Sequence, residues 1–133
     1  MMKQFSLRQP RKLASLAFLL VALIFVLCVT IQIFIAGLAT FVNPVNWANH
    51  ISFVHIIEAL ALLLLLLAFA GRFPGSIRWR SAGLLALIFL QYFTANVTAV
   101  MPWLAATHPV IAMSLFWLSV HVAVMARDHV SIQ

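Results

Sequence analysis

Residues 51–71, ISFVHIIEALALLLLLLAFAG, constrain this chain most, because these 21 positions are almost all apolar. At about 1.5 Å of rise per residue, a helix of that length covers about 30 Å, the thickness of a bilayer's hydrocarbon layer. It stops at Gly71-Arg72, as a spanning helix does on reaching the headgroups. Two ionisable residues, His55 and Glu58, nevertheless fall inside it. Leaving such groups in lipid costs about 2.5–3.5 kcal/mol even on the lenient insertion scales, so they are expected to face other helices and to have partners there.

The rest of the chain agrees with a membrane environment. Of its 133 residues 65% are hydrophobic and 8% charged, and the mean hydropathy is +1.14, whereas soluble domains are about 25% charged. A net charge of +6 in a soluble protein would point to nucleic acid, but the distribution of that charge says otherwise. Lys3, Arg8, Arg11 and Lys12 precede the first apolar run, Arg72, Arg78 and Arg80 lie between the second and third, and Arg127 follows the fourth. In a four-span chain all eight sit on one side, which the positive-inside rule makes cytoplasmic. The charge is a topology signal, and no nucleic-acid partner is expected. The single cysteine, Cys28, has no partner for a disulfide or a metal-ligand pattern.

The expected fold is all-α: a four-helix, up-and-down transmembrane bundle forming one domain, with helices over about 13–42, 51–70, 82–101 and 108–126. Both termini are expected in the cytoplasm and the chain in the cell's inner (plasma) membrane as a multi-pass protein. The first run is too long for the core of a secretory signal and reads as a retained helix. Residues 43–50 and 102–107 form the outer connections, with Trp47 and Trp103 at headgroup level; residues 71–80, rich in Gly, Pro and Arg, form the inner loop. Gln32-Ile-Phe34-Ile-Ala36 aligns with Gln91-Tyr-Phe93-Thr-Ala95, and an outer loop with proline, tryptophan and histidine follows each. That pattern is what a 2+2 repeat of helix hairpins leaves in a sequence.

Among the polar residues, His55 lies 17 residues before Arg72 and His108 lies 19 before Arg127, so their depths differ by only about 3 Å. From the second and fourth helices they are expected to face each other. Two histidines at one level, in aromatic surroundings such as Phe34, Phe41, Phe53, Phe93 and Phe116, are what a bis-histidine b-type haem requires. The alternative is that both histidines bond to glutamine, asparagine or backbone carbonyls and only pack the helices. Glu58, one turn from His55, either orients that imidazole or is a neutral carboxyl bonded to Gln91 or Asn96. His50, about 140° around the helix from His55, is expected to face the loop or solvent, and His121 lies too deep to join His108. One carboxylate within the spans does not make a di-iron site, and no Walker loop, nucleophile–base pair or zinc spacing is present.

Gln32, the His55 helix, Leu90-Gln91 and His108-Pro-Val-Ile-Ala together resemble one four-helix half of haem A synthase-like membrane proteins. Over nearly its whole length the chain also resembles a family of small, functionally uncharacterised bacterial four-span proteins. The first resemblance implies haem b held by His55 and His108 as axial, metal-ligating residues, with Gln32 and Gln91 in the pocket; Glu58 and Asn96 are candidates beside it from their own placement on the helices. The chain departs from that pattern in having no arginine or lysine on the outer side for haem propionates, where Asn43, Asn46, Asn49 and His50 would substitute. The expected function is therefore a small membrane protein that binds haem for electron transfer or within a respiratory assembly. The alternative is a non-catalytic accessory protein, and the expected partners are the lipid bilayer with a homo-oligomer or a larger membrane complex. A channel fits poorly, since the inner halves of the spans are nearly all Leu, Ala, Ile and Val.

Overall fold

A computed structural model describes residues 2–132, with side chains from Lys12 onward. The elements are α1 (Met2–Phe41), α2 (Asn46–Ala70), α3 (Gly75–Asn96), the single turn α4 (Pro102–Ala105) and α5 (His108–Ser131); the described residues contain no strand. α1 packs on α2 and α5, and α3 packs on the same two, so α1 and α3 form one diagonal of a bundle and α2 and α5 the other. Phe73, in the short α2–α3 connection, packs its ring at a tilt against Phe18 of α1, with centroids 4.6 Å apart, and against His129 of α5, with centroids 4.9 Å apart. The basic start of the chain, this connection and the end of α5 thus lie at one end, here termed the inner end.

The helices begin and end differently from expectation. α2 starts at Asn46 because the turn formers before it wind the chain into a first turn: Val45 N–H donates to Asn43 Oδ1 at 3.0 Å and Asn46 N–H to Asn43 O at 3.0 Å. α3 starts at Gly75, directly after Pro74, since proline lacks an N–H and is well suited to the position just before a helix, and nothing in residues 76–80 opposes helix formation. The inner loop thereby shrinks to residues 71–74, with Arg72 in the left-handed region at φ 53°. A Cβ on Gly71 would lie 2.7 Å from the Phe73 ring, so only glycine lets that ring close the end of the bundle. At its far end α3 stops at Asn96, not 101, where Asn96 turns its amide back to Tyr92 O at 2.8 Å and β-branched Val97 and Thr98 follow. α5 continues to Ser131.

Each long helix buries a ladder of alternating three- and four-residue steps. The ladders run through Phe18, Ala22, Phe25 and Val29 in α1; Ile57, Ala61, Leu64 and Ala68 in α2; Ile77, Ser81, Leu84, Ile88 and Gln91 in α3; and Leu115, Ser119, Val122 and Ala126 in α5. Small residues in every ladder let the backbones approach, and Gly83 meets Leu118 closely enough that a Cβ there would sit at 3.3 Å. Outward positions are just as apolar: Leu20 is 60% exposed and Leu66 58%. Such a surface suits an apolar solvent. Three segments, Lys12–Phe41, Asn46–Ala70 and Pro102–Ser131, are long and apolar enough to cross a bilayer. α3 is not among them, because Arg78 and Arg80 fall in its first turns and Gln91, Tyr92 and Asn96 in its last.

Candidate functional site

At the outer end the four long helices each contribute to a polar layer above the apolar ladders. On α2 the ladder Leu64–Ile57 extends seven residues further to His50, which is half-buried. Its Nδ1–H donates to the Gln32 carbonyl of α1 at 3.2 Å, and Gln32 Nε2 donates back to the His50 carbonyl at 2.9 Å. The second hairpin repeats the contact. In the orientation that satisfies both ends of its amide, buried Gln91 of α3 donates from Nε2 to the His108 carbonyl at 3.2 Å and accepts from Ala112 N–H at 2.8 Å. Thr94 Oγ1 lies 3.0 Å from His108 Nδ1, and the Gln91 backbone is also within reach of that ring.

His50 and His108 therefore stand on the diagonal pair α2 and α5, while Gln32 and Gln91 come from the other diagonal. At each histidine the protein holds Nδ1, and at His50 that leaves Nε2 for a ligand. Next to His108 the Gln91 amide nitrogen also lies 3.1 Å from Nε2, so a ligand there displaces the amide. One acceptor in this layer is unspent: Gln32 Oε1 is buried without a hydrogen-bond partner among the described residues.

The structure does not bring His55 to His108. His55 is exposed, on the outward face of α2 with Leu62 and Phe69, and its side chain shows 66% of its surface. Tyr92 of α3 gathers it with Glu58: the hydroxyl donates to Glu58 Oε2 at 2.9 Å, and His55 Nδ1 lies 3.2 Å from the Tyr92 oxygen and 3.6 Å from Glu58 Oε2. Glu58 bonds to neither Gln91 nor Asn96, whose amide is taken by its own helix. Of the candidate pocket aromatics only Phe53 packs against the core; Phe34, Phe41, Phe93 and Phe116 face outward. Sequence reasoning missed His50, and the signal that identifies it is the spacing: His50 follows Gln32 by 18 residues and His108 follows Gln91 by 17. Among the described residues no group of three or more His, Cys, Asp or Glu is placed to hold a metal ion.

A family of unknown function, DUF6220, matches residues 32–99, from Gln32 through His50 to just past the end of α3. The chain belongs to this family. The matched part of this DUF6220 protein holds the first Gln–His pair and Gln91, and His108 lies beyond it. Neither a curated protein nor a solved structure matches the chain.

Proposed function

We propose that this protein crosses a plasma membrane four times, with both termini cytoplasmic, and holds a b-type haem near the outer surface between His50 and His108. The observation that carries the reading is the pair of diagonal imidazoles, each gripped at Nδ1 by the preceding helix of its own hairpin. That grip fixes ring orientation and would leave Nε2 of His50, and Nε2 of His108 once the Gln91 amide is displaced, to hold the group. When bound, haem iron supplies one-electron chemistry. The chain's own part is to hold the two rings, to offer the buried Gln32 Oε1 to a donor, and to present Asn43, Asn46 and Asn49 at the outer rim in place of cations. All eight lysines and arginines lie at the inner end or in the segment leading to it, which supports the orientation. The reading keeps the second-and-fourth-helix arrangement of the haem A synthase-like halves and exchanges one ligand, His50 for His55. It also takes the two hairpins as a duplication, supported by the repeated Gln–His contact and by ladders that match position for position.

A second reading has its own support. Gln32 and Gln91 each reach a backbone carbonyl of the following helix, contacts that knit a hairpin with no cofactor present. The absorption spectrum of protein purified in mild detergent from haem-supplied cells separates the two. A reducible Soret and α-band pair, lost in His50→Ala and in His108→Ala but kept in His55→Ala, is the expected result. A colourless protein overturns the haem reading and leaves the structural one, and loss of the bands in His55→Ala alone returns the site to the exposed histidine.

A further inference from the structure

The His55–Tyr92–Glu58 cluster lies on the outside of the bundle, along the α2–α3 seam, and Glu58 falls at the middle of the 25-residue α2. In a spanning helix that is close to the bilayer midplane, where an acid and an imidazole facing lipid are expensive. Packing does not require them. Counting from His108 as from His50, the places of His55 and Glu58 in the second hairpin are taken by Met113 and Phe116, both exposed and apolar. The cluster is also only half spent within the chain. Tyr92 gives its proton to Glu58 Oε2 and occupies His55 Nδ1, and among the described residues neither His55 Nε2 nor Glu58 Oε1 makes a hydrogen bond.

We infer that this face is the interface with a second copy of the chain, related by a two-fold axis along the membrane normal, with His55 of each copy bonded to Glu58 of the other. Complementarity selects that occupant. One patch offers an imidazole nitrogen and a carboxyl oxygen three residues apart, and a two-fold axis places unlike groups together twice with a single shared proton at each pair. Copies in one membrane share an orientation, so the groups meet at nearly the same depth. Around them Ser52, His55, Ala59, Leu62 and Leu66 form an exposed three-and-four-residue stripe, in which Ser52 and Ala59 let two α2 helices approach. The inference rests on the membrane placement proposed above and not on the haem.

Two measurements in native membranes test it, on the full chain carrying Cys28→Ser. Ala59→Cys is expected to give an oxidised covalent dimer, and Leu20→Cys, on the outward face of α1, to stay monomeric. In cells that co-express differently tagged His55→Leu and Glu58→Leu copies, the mixed dimer keeps one intact pair and leaves no orphan, whereas each homodimer leaves two groups unpaired. The mixed dimer is expected to exceed either homodimer by about tenfold. Absence of the Ala59→Cys dimer in a carbonate-resistant membrane fraction, or mixing at the statistical ratio, overturns the interface alone. A chain missing from that fraction overturns the membrane placement and the interface with it.

Discussion

The two hairpins, α1–α2 and α3–α5, are built to one plan inside and to different plans outside. A shift of 59 residues carries Phe18, Ala22, Phe25, Val29 and Gln32 onto Ile77, Ser81, Leu84, Ile88 and Gln91. A shift of 58 carries His50, Ile57, Ala61, Leu64 and Ala68 onto His108, Leu115, Ser119, Val122 and Ala126. Large residues correspond to large ones and small to small, and the Gln–His contact closes each hairpin at its outer end. Outside, the first hairpin carries His55 and Glu58 where the second has Met113 and Phe116. Positions that agree are held by packing between helices; positions that differ are free of it and report what each hairpin meets beyond the bundle.

If the ladders are equivalent, truncation at matched places should do matched damage. Phe25→Ala should cost about 3–5 kcal/mol and Leu84→Ala about 2–5 kcal/mol, since both side chains are fully buried and leave cavities that rigid neighbours cannot fill. Unfolding titrations in mixed detergents measure both. A benign Leu84→Ala beside a severe Phe25→Ala would break the equivalence at the core.

The glutamines sharpen the comparison because their contacts match only in part. Gln91 is satisfied at both ends of its amide, and Gln91→Leu strands the Thr94–His108 cluster, at an expected cost of about 1–3 kcal/mol. Gln32 already carries an unpartnered buried Oε1, so Gln32→Leu removes a liability along with a hydrogen bond and should cost less in the same titration. Equal losses would show that Oε1 is paired after all. For Glu58→Leu the expected loss of monomer stability is smaller again, within about 0.5 kcal/mol, because the freed Tyr92 hydroxyl has His55 Nδ1 as an acceptor 3.2 Å away. Only the association of copies should suffer.

These contrasts explain how far the sequence could be read. The four long helices, their order and the one-sided charge were legible because length, apolar runs and arginine placement survive any choice of helix face. The face itself was not. In α2 the outward Leu62, Leu63 and Leu66 are as apolar as the buried Leu64, so binary patterning, which marks the core of a soluble helix, is silent here. With no visible face, apolar patterning alone does not say which of His50 and His55 turns inward; the structure half-buries His50 and leaves His55 exposed. Ala61 and Ala68, seven apart among leucines, carry the information, since small residues mark where helices touch in a membrane. Asn96 departs from expectation for another reason: a helix end competes for a nearby amide, and here Tyr92 O takes it at 2.8 Å.

The smallest expected effect is the most exacting test of the shared plan. Ser81 and Ser119 are buried where the first hairpin has Ala22 and Ala61, and each hydroxyl is spent within its own helix, on Ile77 O at 3.0 Å and on Phe116 O at 2.6 Å. Neither bond crosses between helices, and replacing serine by alanine removes donor and hydroxyl together without orphaning a carbonyl that already accepts from its helix. The matched alanines show that the ladder accepts a methyl at this step. Ser81→Ala and Ser119→Ala should therefore change stability by no more than about 0.5 kcal/mol, singly or together, as should the reverse change Ala61→Ser. A loss of more than about 1 kcal/mol in Ser119→Ala, with Ala61→Ser benign, would mean that the hydroxyl serves a contact peculiar to the second hairpin, and the two would no longer share one packing plan at this step.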